Sequence, residues 1–175
     1  MLTLLKLIRG LLKGLTSAAA PWQLALGTWF GAMLGFLPIF PSDGPSPLAF
    51  VLLFLALVIN CHLASMLLFL GVTKLLALAL MDVGLAIGTG MSGFAQTCAD
   101  IPLLHASHWS HTGWLGMTIL GLIAAPIAAL KMYLFTKWFR TKVQPKLMEK
   151  RKLMLAGKVA GNGIMFKLGC WFMGL

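Results

Sequence analysis

The chain has 175 residues, 59% of them apolar and only 10% charged, with mean hydropathy +0.92 and a formal net charge of +10. Fourteen basic and four acidic residues are too few to cover a soluble domain of this size. The charge is also segregated, ten basic residues from Lys131 onward and three before Thr16, which suits anionic headgroups flanking apolar spans and excludes a basic nucleic-acid surface interleaved with aromatics.

Two stretches, Gly44–Thr73 and Ile101–Leu130, contain no Lys, Arg, Asp or Glu, and a spanning helix needs about 20 apolar residues. The composition therefore predicts an all-α polytopic membrane protein with about four transmembrane or partly re-entrant helices, and amphipathic interfacial helices at both ends.

In chain order, residues 1–16 form an amphipathic helix. Thr3, Lys6, Arg9, Gly10, Lys13 and Thr16 fall on one side, and Leu4, Leu5, Leu7, Ile8, Leu11, Leu12 and Leu15 on the other. Such a helix lies in the headgroup plane, with Lys6, Arg9 and Lys13 toward lipid phosphates. A signal peptide cleaved near Ala18-Ala19-Ala20 is the rival, although three cations interrupt its apolar region.

The membrane domain is expected over 17–143, with spans at about 22–37, 48–71, 75–94 and 113–135. Ser17 is the expected cap of the first, with Pro21 in its first turn. Gly27, Gly31 and Gly35 recur every four residues and line one helix face, where they allow a second backbone to approach. Only about 22 Å of helix precedes Pro38, so the segment either spans tilted or turns back as a re-entrant hairpin. The turn after it contains Pro38, Pro41, Asp43, Gly44, Pro45 and Pro47 and is the expected place for a cavity. The second span carries Asn60, Cys61, His62 and Ser65 in its middle. Gly71–Lys74 is read as a short connection, and the third span carries Asp82 with Gly84 and Gly88 as a second packing face. A polar outer loop over Ser92–Thr112 precedes the fourth span.

Alternation of basic and non-basic loops places both termini in the cytoplasm. Basic residues Lys137 and Arg140 end the fourth span, and Lys150, Arg151 and Lys152 lie in a basic tail, 144–175. That tail is read as interfacial, anchored by Trp171 and Phe172, although Leu153–Leu175 also has the length to cross. Two weak parallel repeats follow, each a glycine-rich span, an outer loop and an uncharged span.

Three groups of residues bear on chemistry. If the second and third spans fold back at Gly71–Lys74, His62 and Asp82 meet about 15 Å from the turn, an intramembrane polar pair with functional potential. The bland reading has Asp82 facing water or Lys74, and His62 bonded to a backbone carbonyl. His105, His108 and His111 have one-turn spacings and are weak zinc candidates, converging only on an irregular loop. No general-base Glu accompanies them, and hydrated loop residues are the simpler reading. Cys61, Cys98 and Cys170 form no metal or disulfide spacing. Phosphate-loop, metallohydrolase and serine-hydrolase motifs are absent, and four carboxylates leave little scope for acid–base pairs. No enzyme activity, cofactor or metal is expected.

The segment Ala25-Leu-Gly27-Thr-Trp-Phe-Gly31-Ala-Met-Leu-Gly35-Phe-Leu-Pro38, continuing through Leu57-Val-Ile-Asn60, resembles an uncharacterised bacterial membrane family, domain of unknown function 2062. The resemblance covers roughly Ser17 to Leu80, and the family's second Asn-Pro signature is missing around Gly71-Val-Thr-Lys74. It implies a bacterial inner-membrane protein. It also implies a short branch found in outer-membrane-bearing bacteria, alongside a larger envelope partner in lipid handling or assembly. The expected function is a non-catalytic module that docks a protein partner or a second copy through its glycine faces and holds membrane lipid at its basic ends. The alternative is a small lipid or solute transporter or flippase with a cavity at the Gly35–Pro47 break.

Overall fold

The computed structural model describes residues 9, 10, 13–16, 19–39, 46–146 and 148. The α-helices bounded within the described residues follow in order: α1 (Pro21–Phe36), α2 (Pro47–Val58), α3 (Leu63–Ala79), α4 (Met81–Gly90), α5 (Ser92–Ala99), α6 (Pro102–Ala106) and α7 (Thr112–Trp138). A π-helical turn, Phe139–Val143, continues α7. No strand occurs among the described residues.

Local chemistry sets most boundaries. α1 begins at Pro21, whose missing N–H is harmless in a first turn. The Gln23 side chain accepts the Ala20 N–H at 2.9 Å, so Ala20 takes the capping place expected for Ser17. α1 stops because Leu37 precedes Pro38 and is extended, at φ −75° and ψ 148°. α2 likewise opens on Pro47. At the start of α3, the His62 ring nitrogen Nδ1 accepts the Ser65 N–H at 3.2 Å.

The glycine face of α1 packs on α3. A methyl group added at Gly27 would meet the His62 carbonyl and Ser65. One at Gly31 would meet Met66 and Leu70, and one at Gly35 would meet Thr73 and Lys74. These contacts advance together along both helices, so α1 and α3 run parallel. The His62 N–H donates to the Gln23 carbonyl at 3.1 Å and joins their starting ends. α2 runs back beside α1, with Ala56 near Phe30, and Leu48 near Leu37. α7 is antiparallel to α1: Gly121 lies against Phe36, while Met132 and Phe139 pack with Leu24 and Leu15. α1 is thus the central helix, and every residue from Phe30 to Phe36 is buried.

The interior combines large apolar side chains such as Leu24, Phe30, Leu34, Phe36 and Leu115 with small and hydroxyl-bearing residues at the helix contacts. Thr28 and Ser65 share a hydrogen bond of 2.9 Å between α1 and α3. Ser65 also donates to the Leu24 carbonyl at 3.1 Å, and Thr73 to the Gly31 carbonyl at 3.3 Å. Many further large apolar side chains face outward, among them Phe54, Leu57 and Val58 on α2, Leu75 and Leu78 on α3, and Ile123, Ile127 and Leu130 on α7.

Several expected boundaries are corrected. The stretch 48–71 is not one helix, because the chain breaks and reverses at Ile59–His62. Gly71–Lys74 is no turn but the interior of α3. The stretch 75–94 is shared among the end of α3, α4 and the start of α5, and α3 and α4 meet at a 70° bend. The expected helix at 113–135 is present as α7. Among the described residues, one helix, Thr112–Lys146, is long and apolar enough to cross a membrane, or two if α3 and α4 form one bent span.

Candidate functional site

The 70° bend at Leu80 turns α4 onto the start of α7. Gly84 and Gly88 permit this crossing. A methyl at Gly88 would enter the Thr112 carbonyl, and one at Gly84 would strike Met117; Gly116 of α7 faces the Gly84 carbonyl in return. Beside the crossing, where α1 ends, lies a cavity of about 470 Å3. That is within the usual range for small-ligand sites, roughly 300–1,000 Å3.

Its walls are mainly apolar, including Phe36, Ala77, Leu78, Met81, Leu85, Trp114 and Met117. Three ionisable side chains join them: Lys74, Asp82 and His111. Lys74 is half-buried, and its Nζ donates to the Leu37 carbonyl at 3.0 Å, closing the backbone left open where α1 stops before Pro38. Asp82 lies in the first turn of α4, the end of a helix that favours negative charge. It has no hydrogen-bond or ion-pair partner among the described residues. The His111 ring stacks with that of His108 at 6.2 Å between centroids.

The structure separates several residues that the sequence suggested together. His62 begins α3 and Asp82 follows its far end. The 17-residue helix between them is about 25 Å long. No intramembrane His62–Asp82 pair forms, because the hairpin that would join them is absent. Gly27, Gly31 and Gly35, like Gly84 and Gly88, are packed inside the chain. Pro38 is buried beside the cavity wall, and Asn60 is exposed at the Ile59–His62 reversal. Pro41 and Asp43 lie outside the described residues, as do Lys6, Lys150, Arg151 and Lys152.

Of the basic headgroup candidates, Arg9, Lys13 and Lys137 are exposed at the end where α1 begins, with Lys137 4.6 Å from the Tyr133 ring centre. Arg140 is different. Its guanidinium donates to the carbonyls of Leu15 at 3.0 Å, Gly14 at 3.1 Å and Ala19, and Gln144 donates to Thr16 at 3.2 Å. These bonds hold the N-terminal helical residues against the end of α7.

His105, His108 and His111 do not converge. His105 pairs with Ser110 at 3.0 Å, and His108 is buried with a left-handed φ of 63°. No group of three or more potential metal ligands occurs among the described residues. Lys74 is the residue that sequence reasoning missed. It looked like a loop charge, although an isolated cation in a long apolar run is itself the signal for a buried or cavity-lining role.

Compared with known proteins, the chain has no significant match to a family model, a curated protein or a solved structure.

Proposed function

We propose that this protein is a polytopic protein of the bacterial inner membrane, with both termini cytoplasmic, acting as a non-catalytic lipid-binding module in envelope lipid handling. The observation that carries the reading is the cavity at the α3–α4 bend, apolar in its walls and bearing Lys74 and Asp82. Glycines and hydroxyl residues at the helix crossings, together with many large apolar residues on the exterior, suit a protein packed in lipid. Among the described residues, Arg9, Lys13, Lys137 and Arg140 lie at the end where α1 begins, which favours a cytoplasmic position for that end and an outer one for the cavity.

The glycine faces are used between the chain's own helices, so they give no support to partner docking through them. The separation of His62 from Asp82 likewise withdraws support from a coupled transporter built on that pair. The similarity to domain of unknown function 2062 is kept as part of the proposal, on the Gly27–Pro38 segment.

Replacing Ala77 by Trp fills the cavity. After purification in mild detergent, native mass spectrometry is expected to show retained phospholipid on the wild type and its loss from Ala77→Trp. Leu130→Trp, on the exposed face of α7, is expected to retain it. Equal retention in all three chains would refute the cavity as the lipid site.

A further inference from the structure

Lys74 and Asp82 are eight positions apart and line one cavity on either side of the 70° bend at Leu80. No ion pair joins them among the described residues. An ammonium group has three donors, and one from Lys74 is engaged by Leu37. The other two are available for phosphate oxygens. Asp82 is exposed at the cavity and supplies carboxylate oxygens that no donor reaches among the described residues. A cation and an anion in separate positions of one largely apolar cavity suit a ligand that carries both charges.

Leu78, Met81 and Leu85 line the cavity and are also exposed on the outer surface. These three residues carry the apolar wall from the cavity to the exterior of the helix bundle. A volume of about 470 Å3 has room for a headgroup and its attachment, and the three residues offer acyl chains an apolar path outward. This lateral opening favours a lipid over a free water-soluble zwitterion.

We infer that the cavity selects a zwitterionic phospholipid with a primary ammonium, of the phosphatidylethanolamine type, with Lys74 on the phosphate and Asp82 on the amine. The inference rests on the lipid-binding reading above. An anionic headgroup without an amine would leave Asp82 facing like charge. A choline headgroup carries the right charge but no N–H for a charge-assisted hydrogen bond.

The test uses the full chain in nanodiscs of equimolar phosphatidylethanolamine, phosphatidylglycerol and phosphatidylcholine, with retained lipids identified by native mass spectrometry. The wild type is expected to enrich phosphatidylethanolamine about tenfold, a typical effect of one charge-assisted contact. Asp82→Asn is expected to keep bound lipid and lose that preference. Lys74→Gln is expected to lower retention of all three lipids, and Lys74→Arg to restore it, which separates loss of phosphate binding from misfolding. Asp100→Asn, outside the cavity, serves as the unchanged control. Lipid retained without headgroup preference, or preference surviving Asp82→Asn, overturns this inference and leaves the lipid-binding reading intact. No retained lipid overturns both. Displacement of the lipid by an equal concentration of soluble glycerophosphoethanolamine overturns the assignment to a lipid in favour of a free zwitterion.

Discussion

Gly31 and Gly71 make the clearest comparison of single residues, because both are helical and only one is crowded. A methyl at Gly31 would be driven into the Met66 carbonyl, whereas one at Gly71 meets nothing within 4 Å. Gly31→Ala is expected to destabilise the fold by about 1–3 kcal/mol, as overpacking does. Gly71→Ala should be neutral or stabilising by up to about 1 kcal/mol through helix propensity. Thermal unfolding in detergent, followed by tryptophan fluorescence, measures both; equal losses would refute the α1–α3 packing. The four-residue spacing made the glycine stripe visible in the sequence, but nothing in that spacing says which helix it faces. Arg140 shows the same limit more sharply. It reads as one more interfacial cation, yet its guanidinium closes backbone carbonyls at Gly14, Leu15 and Ala19, more than 120 positions away. Arg140→Ala is expected to speed proteolysis within residues 9–20 at least several-fold, with Arg140→Lys intermediate because a single ammonium cannot reproduce the guanidinium fork.

Elements were legible where local stereochemistry acts alone. The starts of α1 and α2 follow from prolines, and the end of α1 from Leu37 preceding Pro38. The reversal at Ile59–His62 was hidden because Ile59-Asn60-Cys61-His62 has neither Gly nor Pro, and flanking apolar residues on both sides mimic one long span. The break is held by tertiary contact, through the His62 N–H on the Gln23 carbonyl. It moves Asn60 from mid-membrane to an exposed turn at the basic end of the bundle. With all three native cysteines replaced by Ser, the proposed cytoplasmic orientation of that end predicts that Asn60→Cys reacts with a membrane-impermeant maleimide in inverted vesicles and is protected in intact cells. Resistance in both preparations would restore a continuous 48–71 span.

At the scale of the whole molecule, the question is which solvent the exterior meets. Ile123 and Ile127 are exposed on α7. In a bilayer, Ile123→Lys is expected to cost about 2.5–3.5 kcal/mol near the helix centre and to lower membrane insertion. In water the same change would improve solubility, so fractionation of expressed protein decides between the two environments.

The chain's sequence alone determined that it is helical, where its apolar runs and basic ends lie, and that small residues recur at helix-packing intervals, since these depend only on composition and periodicity. Tertiary structure decided which backbone each glycine stripe approaches, that α1 and α3 run parallel, and that the length of α3 separates His62 from Asp82. It alone placed Lys74 and Asp82 around a shared cavity, because that arrangement depends on a bend at Leu80 for which the local sequence carries neither proline nor glycine, and which accompanies the close crossing of Gly84 and Gly88 over α7.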